Sequence, residues 1–163
     1  RRAAIVMTVM TDYALSVCQK VRQSPHLVED LVEGGNMGLI CWACTQDISV
    51  TREVEGLVID LVHGLRTGEE PPSPTWWFVQ ELLRNGPPHL RQSIIASDIV
   101  ANTHAAIHYI FENDGEENWD CSVDGFNTLL VLGERATAEE VDKLRFIKRL
   151  LVTGEAVFAA DIK

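Results

Sequence analysis

Cys41, Trp42, Ala43 and Cys44 form a CxxC, a spacing that can support dithiol exchange or supply half of a zinc site. Dithiol chemistry of this type needs a strand before the motif and a helix opening at it. A zinc site needs a second pair of ligands. This CxxC lies inside an apolar helical pattern, and no second CxxC follows. Two cysteines on one helix face then read as small buried hydrophobes. The second candidate is His104, His108 and Glu112, spaced four apart on one helical face, which is a usable metal geometry. The run is HAAIH, so the glutamate that acts as general base in a zinc protease is missing. Its plainer reading is the polar edge of a packed helix. No glycine-rich phosphate loop, GxSxG elbow or paired-carboxylate motif is present. The expectation is a non-enzyme that holds no metal and no cofactor.

Two further stretches could serve recognition. Trp76, Trp77 and Phe78 are consecutive aromatics on a helical pattern, and three neighbours cannot all point inward. At least one is expected at a surface, a groove or a neighbouring unit. Aromatics are enriched at interface hot spots, although sealing a gap between units would use them equally well. Glu112 to Glu117, ENDGEE, reads as an acidic turn-forming loop.

The bulk properties narrow the classes. The chain has 163 residues, enough for one domain with a substantial core. Its net charge of −10 and pI of about 4.9 argue against a nucleic-acid binder and mildly favour basic partners. The four cysteines, Cys18, Cys41, Cys44 and Cys121, lie mostly in apolar helical context, which suits a reducing, cytoplasmic compartment. The opening RRAAIVMTVM has the charged and apolar regions of a signal peptide, but Asp12 interrupts it and no cleavage pattern follows. A domain beginning inside a helix is expected instead. No stretch reaches the roughly 18 apolar residues of a membrane span.

Stepping apolar residues by three and four places a helix over Ala3–Val21, with Val6, Met10, Tyr13, Ala14 and Val17 along it. Ser24-Pro25 opens a short helix that Gly34-Gly35 ends. Asn36 can cap the next helix, with Met37, Ile40, Cys41 and Cys44 on its inner face. A third helix runs from about Val50 to Leu65, with Val54, Leu57, Val58 and Leu61 inward. Glu69–Thr75, EEPPSPT, reads as a linker, because its prolines break regular helix. Trp76–Asn85 is helical, with Trp76, Val79, Leu82 and Leu83 inward. Pro88–Phe111 then forms a short helix, a break at Ala96-Ser97-Asp98 and a longer helix, followed by Ser122–Leu132. Thr137 and Glu140 form a capping box for a helix that carries Val141, Leu144, Ile147 and Leu151. No segment alternates with period two, so the chain is expected to be all-α.

The plan repeats. Pro88-His89-Leu90 lies 63 positions after Pro25-His26-Leu27, and each opens a short helix, a bend, an apolar second helix and a third. The units are SPHLVEDLVEGGNMGLICWACTQDISVTREVEGLVIDLVHG and PPHLRQSIIASDIVANTHAAIHYIF with DCSVDGFNTLLVLG. Over residues 24–133 this resembles the three-helix plan of the armadillo repeat. The offset exceeds the usual period of about 40 residues. The extra length is the proline linker, with its helix, and His104 falls at the offset from Cys41. The resemblance implies an armadillo-like α-solenoid whose third helices line a concave surface that takes partner segments. The nuclear-import members of that family carry a tryptophan–asparagine ladder on the third helix. Gly56 and Asp60 stand at those positions in one unit, and Tyr13 and Val17 in the first half-unit, so nuclear-signal binding does not carry over. DGEENW also faintly resembles the loop-to-helix signature of the apoptosis-regulator helical bundles, although Asp120-Cys121 stands where that family has glycine–arginine.

The sequence therefore predicts one domain: a half-unit over 1–23, a unit over 24–68, a linker with an inserted helix over 69–86, a unit over 87–135 and a partial unit over 136–163. The expected function is protein–protein interaction as a scaffold or adaptor that binds a protein or peptide segment, with neither nucleic acid nor membrane as partner. The expected contact residues are Tyr13, Asp60, His63, Trp77 and Asn127. The other reading is a compact bundle of the apoptosis-regulator type, with a groove for an amphipathic helix.

Overall fold

A computed structural model describes residues 1–113 and 119–144. Among these residues the fold is all-helical: α1 Arg2–Gln23, a 3-10 turn Pro25–Leu27, α2 Val28–Glu33, α3 Met37–Gln46, α4 Ile48–Gly64, α5 Ser73–Asn85, α6 Pro88–Ala96, α7 Ile99–Asn113, α8 Trp119–Arg135 and α9 Ala138–Lys143. The ENDGEE loop beyond Asn113 and the tail carrying Ile147 and Leu151 lie outside the described residues.

Local chemistry explains most boundaries. Asp47 caps α4 by accepting from the Ser49 N–H at 2.8 Å. Gly35 takes φ +77 after α2, a conformation that a residue without Cβ adopts cheaply. Asp98 takes the same left-handed region, φ 58, between α6 and α7. Asn102 holds that turn: its Nδ2 donates to the Asp98 carbonyl at 3.0 Å and the Ser97 carbonyl at 3.3 Å. The capping box is present, with the Thr137 N–H donating to Glu140 Oε2 at 2.8 Å and the Glu140 N–H donating to Thr137 Oγ1 at 3.3 Å. Ser24 and Asn36 occupy N-cap positions but make no capping hydrogen bond with their side chains.

Two expectations are corrected. Ser73, Pro74 and Thr75 are the first turn of α5, although the sequence placed them in the linker. Proline is tolerated there, because a first-turn residue needs no N–H donor. The inner face of α1 is also rotated. Thr11, Ala14, Cys18 and Val21 are buried, whereas Val6, Met10 and Tyr13 are exposed. The first half of α1 is apolar all round, so periodicity alone could not fix its phase.

α5 occupies the middle of the fold and packs against α2, α3, α4, α6 and α8. Its Trp76, Phe78 and Val79 are completely buried, each such side chain contributing about 2 kcal/mol of transfer free energy. Its polar groups are paired across helices. Trp76 Nε1 donates to Thr103 Oγ1 on α7 at 3.0 Å. Gln80 Nε2 donates to Thr128 Oγ1 on α8 at 3.0 Å, and Ser73 Oγ donates to Asp124 Oδ2 at 2.8 Å. Buried polar groups satisfied in this way fix the register of α5 against α8.

Candidate partner-binding cleft

A cleft of about 270 Å³ opens where the end of α4 and the linker after it pass the start of α2. Its walls carry Val28, Leu61, Leu65, Pro71, Pro72 and Pro74, and its mouth carries Glu29, Asp60, Glu69 and Glu70. The apolar wall follows from the fold: Val28, Leu61 and Leu65 are buried residues of the core whose outer edges reach the cleft. The mouth follows from the linker. Glu69 and Glu70 are exposed there, directly before Pro71 and Pro72.

The electrostatics are one-sided. Asp60 is partly neutralised by Arg22, whose Nε donates to Asp60 Oδ2 at 2.8 Å. Arg22 Nη1 also reaches Glu53 Oε1 at 3.4 Å, and the two carboxylates keep the guanidinium fully charged. No ion pair within the described residues engages Glu29, Glu69 or Glu70. Among the described residues that line the cleft, His26 is the one basic side chain. A second cleft, about 370 Å³, lies across the same linker and is lined by Tyr109, Ile110, Ala106 and Cys121 together with Glu69 and Glu70. The two glutamates therefore stand on a ridge between two apolar-walled hollows.

Of the five expected contact residues, only Asp60 lines either cleft. Tyr13 is exposed on α1, His63 on α4 and Asn127 on α8, while Trp77 is half-buried on α5. They lie on separate helices and the structure does not gather them into one site. Trp76 and Phe78 are the inward members of the aromatic triplet, and Trp77 takes the outer position. Sequence reasoning did not single out Glu29, Glu69 and Glu70, which line this cleft. It read EEPPSPT as a linker. The signal was a carboxylate pair directly before two prolines.

The candidate chemical residues resolve differently. Cys18, Cys41 and Cys44 are buried, and Cys121 is half-buried. Burial pushes the Cys41 thiol up to about 11 and the Cys44 thiol up to about 12. Burial in apolar surroundings thus favours the protonated thiol in both. His108 Nδ1 faces Glu112 Oε2 at 3.3 Å, and the His104 and His108 rings meet edge-on with centroids 6.2 Å apart. Cys41 is buried whereas His104 is exposed, so the 63-residue offset does not place them on equivalent faces. Among the described residues no group of three or more His, Cys, Asp or Glu side chains is arranged to hold a metal. Within the same residues no helix is long and apolar enough to cross a membrane.

No family model, curated protein or solved structure matches the chain.

Proposed function

We propose that the chain is a protein-interaction module whose cleft receives a basic, amphipathic segment of a partner. The observation that carries this is the pairing of an apolar wall, Val28, Leu61 and Leu65, with a rim of glutamates that form no ion pair among the described residues. An amphipathic helix offers the complement: apolar residues for the wall and Lys or Arg for the rim. Complementary charge adds encounter rate and specificity, and burial of apolar side chains supplies most of the affinity.

Two architectures host such a cleft. In an armadillo-like solenoid, α4 and α8 would be the third helices that line a continuous surface. In a compact bundle, the cleft lies beside one central helix. The bundle reading is supported by α5, which is covered by helices from both units. It also gives the insertion between the two units a purpose, since α5 supplies the core against which both pack. Four free cysteines, three of them buried, support a reducing and therefore cytoplasmic setting.

The test is a titration with a fluorescent Leu/Lys peptide patterned for an amphipathic helix. The wild-type chain is compared with a Glu69→Lys, Glu70→Lys variant. A Glu33→Lys, Glu134→Lys variant changes net charge equally, away from both clefts. Binding that falls about tenfold in the first variant and stays near wild type in the second supports the reading. Equal loss in both variants would mean that the peptide senses net charge alone, and the cleft would be ruled out.

A further inference from the structure

Among the described residues no other element covers the N-terminal half of α1: Arg1 through Met10 are all exposed. This is unusual for such a sequence. Ile5 is 63% exposed, Val9 61%, Val6 55% and Tyr13 52%. With 3.6 residues per turn, Ile5, Val9 and Tyr13 form one row at four-residue spacing, and Arg2 and Val6 form the row beside it. These rows lie on the side of α1 away from Thr11, Ala14, Cys18 and Val21, the residues that pack on the bundle. A contiguous apolar stripe of this kind on a helix that already has a packed face marks an interaction surface.

The charges at its margins say what covers it. Arg2 lies at one end of the stripe and Asp12 at the other, and neither joins an ion pair in the described fold. A second α1 laid antiparallel, with the crossing point near Met7, brings Arg2 of each copy beside Asp12 of the other. The same register sets Ile5 and Val6 against Val9 and puts the Arg2 guanidinium within reach of the Tyr13 ring, a favourable cation–π partner. The stripe is thus complementary to itself under a two-fold rotation, the property that an isologous dimer requires. Arg1 and Arg2 also make this stretch locally positive in a chain of net charge −10, which lessens the repulsion between two copies that meet here.

We propose that the outer face of α1 is a homodimer interface in which two copies pair antiparallel, with Arg2 against Asp12. It is independent of the cleft, whose residues lie on other elements.

Sedimentation equilibrium of the chain, with circular dichroism to confirm the fold, tests this. The wild-type chain is expected to dimerise in the micromolar range. Val9→Asp is expected to weaken the dimer about tenfold or more without changing helicity. Arg2→Glu alone and Asp12→Arg alone are each expected to weaken it, because each places like charges together at both ends. The double exchange Arg2→Glu, Asp12→Arg is expected to restore it. A wild-type chain that stays monomeric at about 100 µM would overturn the proposal. So would a dimer that Val9→Asp leaves intact, or a double exchange that fails to restore association.

Discussion

Gly125 of α8 lies against the indole of Trp76, so close that a Cβ there would come to 2.9 Å of Trp76 Cζ2 and 3.1 Å of Ile107 Cδ1. The contact joins α5, α7 and α8 at one point, and the Trp76–Thr103 hydrogen bond lies beside it. Glycine is required here by the approach of two helices.

Gly125→Ala is therefore expected to destabilise the fold by about 1–3 kcal/mol, because the buried indole has little room to shift. Gly133→Ala on the same helix is expected to do the opposite, by about 0.5–1 kcal/mol, since its Cβ would meet nothing within 4 Å and alanine favours helix. Urea denaturation of both variants checks the contrast. Equal effects would mean that helix propensity, not the Trp76 contact, governs residue 125.

The buried thiols give a pH dependence with a definite sign. Burial pushes Cys18 and Cys44 up to about 12, and Cys41 up to about 11, from an ordinary 9.0. The unfolded chain releases these protons near pH 9 while the fold retains them, so unfolding gains as pH rises. Stability is then full below about pH 9 and declines as pH climbs toward 11–12. Urea midpoints at about pH 8 and about pH 10 are expected to differ in the wild-type chain and to draw closer in a Cys41→Ala, Cys44→Ala variant. In a thiol-labelling assay on the folded protein, Cys121 is expected to react first.

Glu140 gives the opposite sign. Burial alone would raise its carboxyl. The Thr137 N–H and the Arg91 guanidinium, whose Nε lies 2.8 Å from Oε2, outweigh this and hold it below the ordinary 4.5. Its contribution is present above the ordinary carboxylate pKa and is lost as pH falls through the lowered one. Glu140→Ala, which removes the acceptor of the box, is expected to loosen α9, raising amide exchange over Ala138–Lys143 at neutral pH while leaving α5 protected. Unchanged exchange there would show that the capping box is not what holds α9.

At the cleft, binding of the Leu/Lys peptide is expected to weaken as salt rises, because the rim carboxylates are solvent-exposed. Asp60→Asn is expected to matter less than Glu69→Lys, since Arg22 already engages Asp60. Titrations at about 50 mM and about 500 mM salt, repeated with both variants, read these effects.

What could be read from the sequence was local. The Thr137–Glu140 box and the inner face of α3 depend on neighbours three or four residues apart, and both stand in the structure. The start of α5 was misplaced because Pro74 breaks helices everywhere except in the first turn, and sequence alone does not say which turn it occupies. The phase of α1 was misread because its first residues are apolar on every side. The cleft could not be read at all. Glu29, Asp60 and Glu69 meet only because α2, the end of α4 and the linker converge, and no periodicity encodes that meeting.

The most direct measurement is chemical-shift mapping of the isotope-labelled chain as the Leu/Lys peptide is added. If the cleft is the binding site, the perturbed amides cluster at His26–Glu29, at Asp60–Leu65 and at Thr67–Glu70, and saturate together. Perturbations confined to α1, or scattered over every acidic surface without saturation, would contradict a built binding site at the cleft.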